Sequence, residues 1–256
     1  MTAPINGSSI NFGGYLEESN FIELTASAAN DMNLLAMTGD TADYECYMHG
    51  LTAINNVGKG IPTIKPRDVD SIIERIRMAE KSNATAIAID VDGSGITTMA
   101  LSGQPVGPLN RKMLEQIIKS TELPVILKGI MTVKEAEIAV EVGAKGIVVS
   151  NHGGRVLDGV AGVAEVLESI SDKVKGKIII MADSGVRSGV DIYKYLALGA
   201  DIVLIGRPII IGAVGGGKEG VETILGSMKN ELYRAMILTG CKTLREISTK
   251  NIIGYK

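Results

Sequence analysis

At 256 residues the chain has the length of one (β/α)8 barrel and leaves no room for a second large domain. Hydrophobic residues make up 45% of it, enough for a barrel core and a sheath of amphipathic helices. The net charge of -3 gives no electrostatic case for nucleic acid as a partner. Only Cys46 and Cys241 occur, without ligand spacing, which argues against a disulfide framework or a zinc site and fits a reducing cytoplasm. There is no basic-then-apolar leader and no apolar run of membrane-spanning length. A soluble cytoplasmic chain without a membrane partner is expected.

In chain order, short apolar runs alternate with segments of helical period, the pattern of a parallel sheet with crossover helices. Strands are predicted at Thr2–Ile5, Asn33–Thr38, Ile61–Lys65, Ala86–Val91, Pro124–Lys128, Gly146–Ser150, Ile178–Asp183 and Ile202–Gly206. Helices follow, among them Asp68–Lys81, Val133–Val142, Val190–Leu198 and Gly220–Met236. This is an α/β chain, an eight-stranded parallel (β/α)8 TIM barrel, with residues 1–256 forming one domain. From the third strand on the runs are almost wholly apolar, as when both sheet faces are covered. Each ends in a polar or glycine-rich cluster: Asp92–Ser94, Lys128–Gly129, Ser150–Arg155, Asp183–Arg187 and Gly206–Arg207. In such a barrel those ends share one rim, where chemistry collects. Thr2–Ile5 is the weakest strand, and with nothing before it to cover the barrel the chain is expected to self-associate or to be marginally stable.

The segment GIVVSNHGGRVLD, Gly146 to Asp158, carries the densest chemistry. A buried strand delivers His152, which suits proton transfer near neutral pH, and Arg155, whose planar fork suits a carboxylate. A rim histidine bonded to a backbone carbonyl is the competing role. Lys128 ends the apolar run PVILK, where an ammonium is costly unless it meets an anion or reaches solvent. DSGVRSG (Asp183–Gly189) and IGRP (Ile205–Pro208), with a short apolar helix at Ile209–Ala213 before glycines 215–217, fit the phosphate site that such barrels build from their last two loops. Asp92 could orient His152, and Asp90, two residues earlier, points inward by alternation; capping or a solvated loop is the other use of either. His49 is read as structural and the methionines as core filler. No metal site is indicated.

These segments resemble the FMN-dependent 2-hydroxy acid oxidase and dehydrogenase family. LPVILKG, GAKGIVVSNHGGR, ADSGVRSGVDIYKYLALGAD, IGRP and TGCKTLREI, between Leu123 and Ile252, follow family order over about half the chain; TAPI, NLLAMTGD, IPTIKP and AIAIDVDGSG continue the likeness more thinly. The resemblance implies FMN as cofactor, a small 2-hydroxy acid as substrate and an electron acceptor that remains open. It implies His152 as catalytic base, Asp92 as its partner, Lys128 beside the flavin pyrimidine and Arg155 on the substrate carboxylate. Asp183, Gly185, Arg187, Gly206 and Arg207 would hold the ribose phosphate, and Ala3, Pro4 and Ile5 would meet the ring through their backbone. Thr38, Thr63 and Asp90 would contact the ring edge, with Ser150 and Ser184 in the same rim clusters completing the cofactor set.

The chain also departs from the pattern. Lys65 stands after the third strand, where relatives have a tyrosine, and is the expected second substrate contact. Asp90 stands where threonine is usual. The family's N-terminal tyrosine-bearing segment is absent from the sequence, and the stretch GSGITTMALSGQPVGP contains no second substrate arginine. Two other readings keep the flavin: an isomerase of the type 2 isopentenyl-diphosphate kind, and a flavin-binding remnant without turnover.

Overall fold

The computed structural model describes residues 1–252, the side chain of Ile10 excepted. Seven parallel strands pair in sequence order: β1 (Met37–Thr38), β2 (Ile61–Ile64), β3 (Ile87–Asp90), β4 (Val125–Ile130), β5 (Gly146–Val149), β6 (Ile179–Ala182) and β7 (Ile202–Val203). The helices are α1 (Ser8–Asn11), α2 (Glu18–Asp31), α3 (Tyr44–Val57), α4 (Val69–Ala79), α5 (Thr97–Leu101), α6 (Arg111–Lys119), α7 (Val133–Glu141), α8 (Val163–Val174), α9 (Gly189–Ala197) and α10 (Arg207–Thr239). Each strand is joined to the next through at least one helix, the arrangement that keeps successive strands parallel. Helix starts are written locally: Asp43, Asp68, Asn110, Thr132 and Ser188 each accept a backbone N–H of the first turn they precede.

The wall is completed by one residue. Thr2 bridges Ala36 beside β1 and Ile205 beyond β7. Thr2 N donates to Leu35 O (3.3 Å), Met37 N to Thr2 O (3.2 Å), and Ala3 N to Ile205 O (2.8 Å). The expected strand Thr2–Ile5 is therefore a bridge, because Pro4 has no N–H for a ladder and the chain turns away at Gly7, φ 79°. The fold is the TIM barrel, with this bridge in the eighth wall position. Asn33–Thr38 likewise shortens to β1, since Asn33 (φ 57°) is still closing α2.

Side-chain alternation divides the core. Met37, Ile61, Ala88, Ile126, Val148, Met181 and Leu204 fill the barrel with Ala3 and Ala86. Their neighbours on the opposite face, such as Ile64, Ile89, Leu127, Ile147, Ile180 and Val203, pack under the helices. The helix after β7 breaks at Gly216 and Gly217, so the short apolar helix expected at Ile209–Ala213 and the long one after Gly220 are two arms. They cross at Gly212 and Gly220, where a Cβ on Gly220 would lie 2.0 Å from Gly212 O. No helix among the described residues is long and apolar enough to cross a membrane.

Candidate active site

On six of the strands the interior face passes two residues further on from an apolar to a polar residue or glycine: Ile61 gives Thr63, Ala88 gives Asp90, Ile126 gives Lys128, Val148 gives Ser150, Met181 gives Asp183 and Leu204 gives Gly206. The period of two thus carries a ring of functional groups to the C-terminal rim. Above it lies a cavity of about 330 Å³, within the usual range for small-molecule sites. Its lining includes Arg187 and Arg207, from the loop after β6 and the start of α10, together with Lys65, His152 and Arg155.

His152 sits in the left-handed region (φ 56°), an uncommon place for a non-glycine residue, at the start of a short 3-10 turn. Its N–H donates to Ser150 Oγ at 3.1 Å, and its Nδ1 lies 3.1 Å from Asp92 Oδ2. A proton on Nδ1 facing this carboxylate leaves Nε2 as the basic nitrogen. Asp92 reaches the ring because residue 129 is glycine: at φ 101°, a Cβ there would come within 2.3 Å of Asp92 Cγ. Burial raises the Asp92 carboxyl above its ordinary value, against the pull of its bond to His152 and the charge of Lys128.

Beside this pair is a buried cluster of charge. Asp90 Oδ1 accepts from Lys128 Nζ at 3.1 Å, and Asp90 Oδ2 is bonded to Lys65 Nζ. His152 Nδ1 stands 3.7 Å from the same Oδ1. Burial alone would raise Asp90, but Lys128 and then Lys65 overcome it and hold the carboxyl well below its usual range. Burial likewise pulls Lys128 down, and Asp90, Asp183 and Asp92 together push it above its usual value. Donor atoms of Asp90, Asp92 and His152 lie within 4.8 Å of one another, close enough to suit a metal ion, but the two ammonium groups already balance Asp90.

The other end is built from backbone and arginine. Gly185 (φ 83°) and Gly206 open the loops after β6 and β7, and the N-terminus of α10 begins at Arg207. Neither the Arg187 nor the Arg207 guanidinium forms an ion pair among the described residues. Burial and the neighbouring Arg207 charge lower Arg187. Two like charges facing one cavity at a helix N-terminus suit a phosphate. The Thr63 hydroxyl, buried and without a partner, lines the same space. These observations fit the demands of FMN: an anionic end, and a polar edge below a flat body.

The structure brings most of the expected residues to this cavity: Ala3, Pro4, Ile5, Thr63, Lys65, Asp90, Lys128, His152, Arg155, Asp183, Ser184, Gly185, Arg187, Gly206 and Arg207 all line it. Three expected residues stand elsewhere. Thr38 does not face the rim; Met37 occupies the barrel side of β1, so Thr38 points outward, its unpartnered hydroxyl against Gly50 of α3. The expected ring contact from Thr38 is corrected accordingly. Ser150 is fully buried beneath His152, and Asp92 touches the cavity only through His152. Arg155 is exposed at the mouth, where Nη2 donates to Asn11 Oδ1 at 2.7 Å. Asn11, Asn6, Asp40, Ile96, Thr98 and Met99 also line the cavity and were not anticipated. Asp40 had a signal, as the first charge after the apolar run LLAMTG; it pairs with Arg67, which also donates to Thr41 O (2.7 Å) and Gln104 Oε1. Asn11 had none, because it ends the one-turn helix α1, too short for an apolar period to fix its direction.

A parallel barrel whose rim joins an arginine-and-glycine cradle to a histidine–carboxylate pair over a buried lysine is a scaffold for chemistry on a phosphate-bearing ligand. The chain belongs to the FMN-dependent dehydrogenase family, whose pattern matches residues 94–253. It is 38% identical over 195 residues to a peroxisomal (S)-2-hydroxyacid oxidase of Arabidopsis thaliana, covering 75% of this chain and 53% of that protein. It is 50% identical over 137 residues to an L-lactate dehydrogenase of Xanthomonas campestris pv. campestris, covering 54% of this chain and 36% of the relative. The chain thus spans about half or less of the length of these curated relatives. In structure it matches mandelate oxidase with a TM-score of 0.81 at 29% identity, over 95% of this chain and 75% of that one.

Proposed function

We propose that the chain binds FMN and dehydrogenates a small 2-hydroxy acid to the 2-oxo acid. The observation that carries this reading is His152, fixed by Asp92 at 3.1 Å on Nδ1, in one cavity with Lys128 and Arg155. The cofactor supplies a two-electron acceptor. Its phosphate is assigned to Arg187, Arg207, Gly185 and the α10 N-terminus, and its ring to Thr63, Lys128 and the Ala3–Ile5 backbone. Arg155 takes the substrate carboxylate, exchanging its bond to Asn11 for a charge-assisted pair. His152 Nε2 receives the proton, and Asp92 stabilises the imidazolium that results. Ile96 and Met99 offer an apolar wall to the substrate side chain, beside the polar Thr98. The test is anaerobic addition of a panel of 2-hydroxy acids to the FMN-loaded protein. Loss of the flavin's visible absorbance with at least one of them is expected. A protein that stays colourless in excess FMN, or a bound flavin that none of them bleaches, would sink the reading.

A further inference from the structure

Lys65, Asp90 and Lys128 come from three adjacent strands, and their meeting follows from register. Ile64 pairs with Ile89 and Asp90 with Lys128, so the residue after Ile64 arrives beside Asp90 on the cavity side. Both oxygens of Asp90 are engaged, one by each ammonium, and the three side chains are 13%, 3% and 4% exposed. All three line the cavity assigned to the flavin ring and substrate. A buried carboxylate beside Lys128 would cancel the one cation that can favour a reduced, anionic ring. A second ammonium on the other oxygen returns the cluster to a net single positive charge. The two residues that depart from the family pattern at this rim are thus bonded to each other.

We propose that Asp90 and Lys65 act together to set the electron affinity of the bound flavin, Asp90 offsetting the charge of Lys128 and Lys65 restoring it. This rests on the FMN reading above. It assigns the Lys65 ammonium to Asp90 in place of direct substrate binding, and makes both residues positioning groups for charge at the ring. Direct opposition of full charges in a site with little water gives each an effect that bulk solvent would screen away. A purely structural rung across the strands would bind the same lysines without moving the flavin's redox equilibrium, and that separates the two roles.

The experiment is an anaerobic redox titration of the FMN-loaded parent, Asp90→Asn, Lys65→Met and the double variant, with flavin content measured for each. Asp90→Asn should shift the two-electron equilibrium toward reduced flavin at least tenfold, about 30 mV upward. Lys65→Met should shift it by a similar factor the other way, and the charge-balanced double variant should return near the parent. Should Asp90→Asn fail to fold, a downward shift in Lys65→Met that is absent in the charge-keeping Lys65→Arg still decides the matter. A midpoint unmoved in the single variants, or moved in the same direction by both, overturns the proposal while leaving FMN binding intact. A parent that takes up no FMN overturns this proposal and the functional reading together.

Discussion

The two ends of the cavity solve the problem of charge in opposite ways. At the α10 end, Arg187 and Arg207 line the cavity and neither is held in an ion pair among the described residues, beside loops whose glycines leave the backbone bare. At the β2–β4 end, the buried Lys128 and the partly buried Lys65 are both already paired, through Asp90. The first end is incomplete without an anion and gains from any that arrives. The second is complete by itself, so a ligand there feels a field set by groups that do not have to move. That is what a positioned base requires, since preorganised charge costs no rearrangement when the reaction occurs. Binding and chemistry can therefore be disturbed separately.

The strongest break is expected at the chemical end. His152→Asn keeps a polar side chain but no basic nitrogen, so flavin reduction by a good 2-hydroxy acid should fall roughly 10^2- to 10^4-fold. FMN content should be unchanged; stopped-flow bleaching beside flavin analysis checks both. Gly129→Ala should come next. A side chain at φ 101°, 2.3 Å from Asp92 Cγ, combines backbone strain with overpacking. A loss of about 2 kcal/mol or more in denaturant unfolding is expected, with a slower His152-dependent rate as Asp92 is displaced.

The phosphate end should respond in affinity alone. Arg207→Ala removes a charge-assisted contact worth about 1.5–3 kcal/mol, at the lower end for an exposed group, so the FMN Kd should rise about tenfold or more. The rise should shrink at high salt, and the reduction rate of the saturated protein should change little; fluorescence titration at two ionic strengths measures the first. The smallest effect sharpens the boundary of the site. Thr38→Val removes a buried unpartnered hydroxyl that faces α3, so stability should stay within about 1 kcal/mol and FMN affinity should not move. Thr63→Val, whose hydroxyl faces the cavity, should weaken FMN binding. Equal effects of the two variants in the same titration would contradict the inward and outward assignment.

Much of the rim could be read from the sequence because an apolar strand ending in a charge is a local statement. PVILK, GIVVS and IIMAD each place their final polar group, Lys128, Ser150 and Asp183, by an alternation set within the strand. The misplaced contact, Thr38, lies in a segment where that alternation is not fixed: the sequence predicts six extended residues, and only Ala36, Met37 and Thr38 pair. The first expected strand, Thr2–Ile5, contains a proline, and only Thr2 forms a bridge in the wall. Lys65 was expected on the substrate, because its own strand says where it stands but not which side chain faces it from the next strand.

From the sequence alone come the parallel order of the strands, the polar rim, the glycine-and-arginine cradle and the placement of His152, Arg155 and Lys128 on that rim. Each depends on period, capping or backbone freedom within a few residues of itself. Only the folded chain decides that Thr2 closes the wall against both Ala36 and Ile205, that Asn11 reaches Arg155 and that Asp90 is divided between Lys65 and Lys128. Those pairings join residues 25 to 203 positions apart, through strand register and side-chain reach. A short window of sequence holds the sign of each charge. Its partner is set by which strands the barrel places side by side.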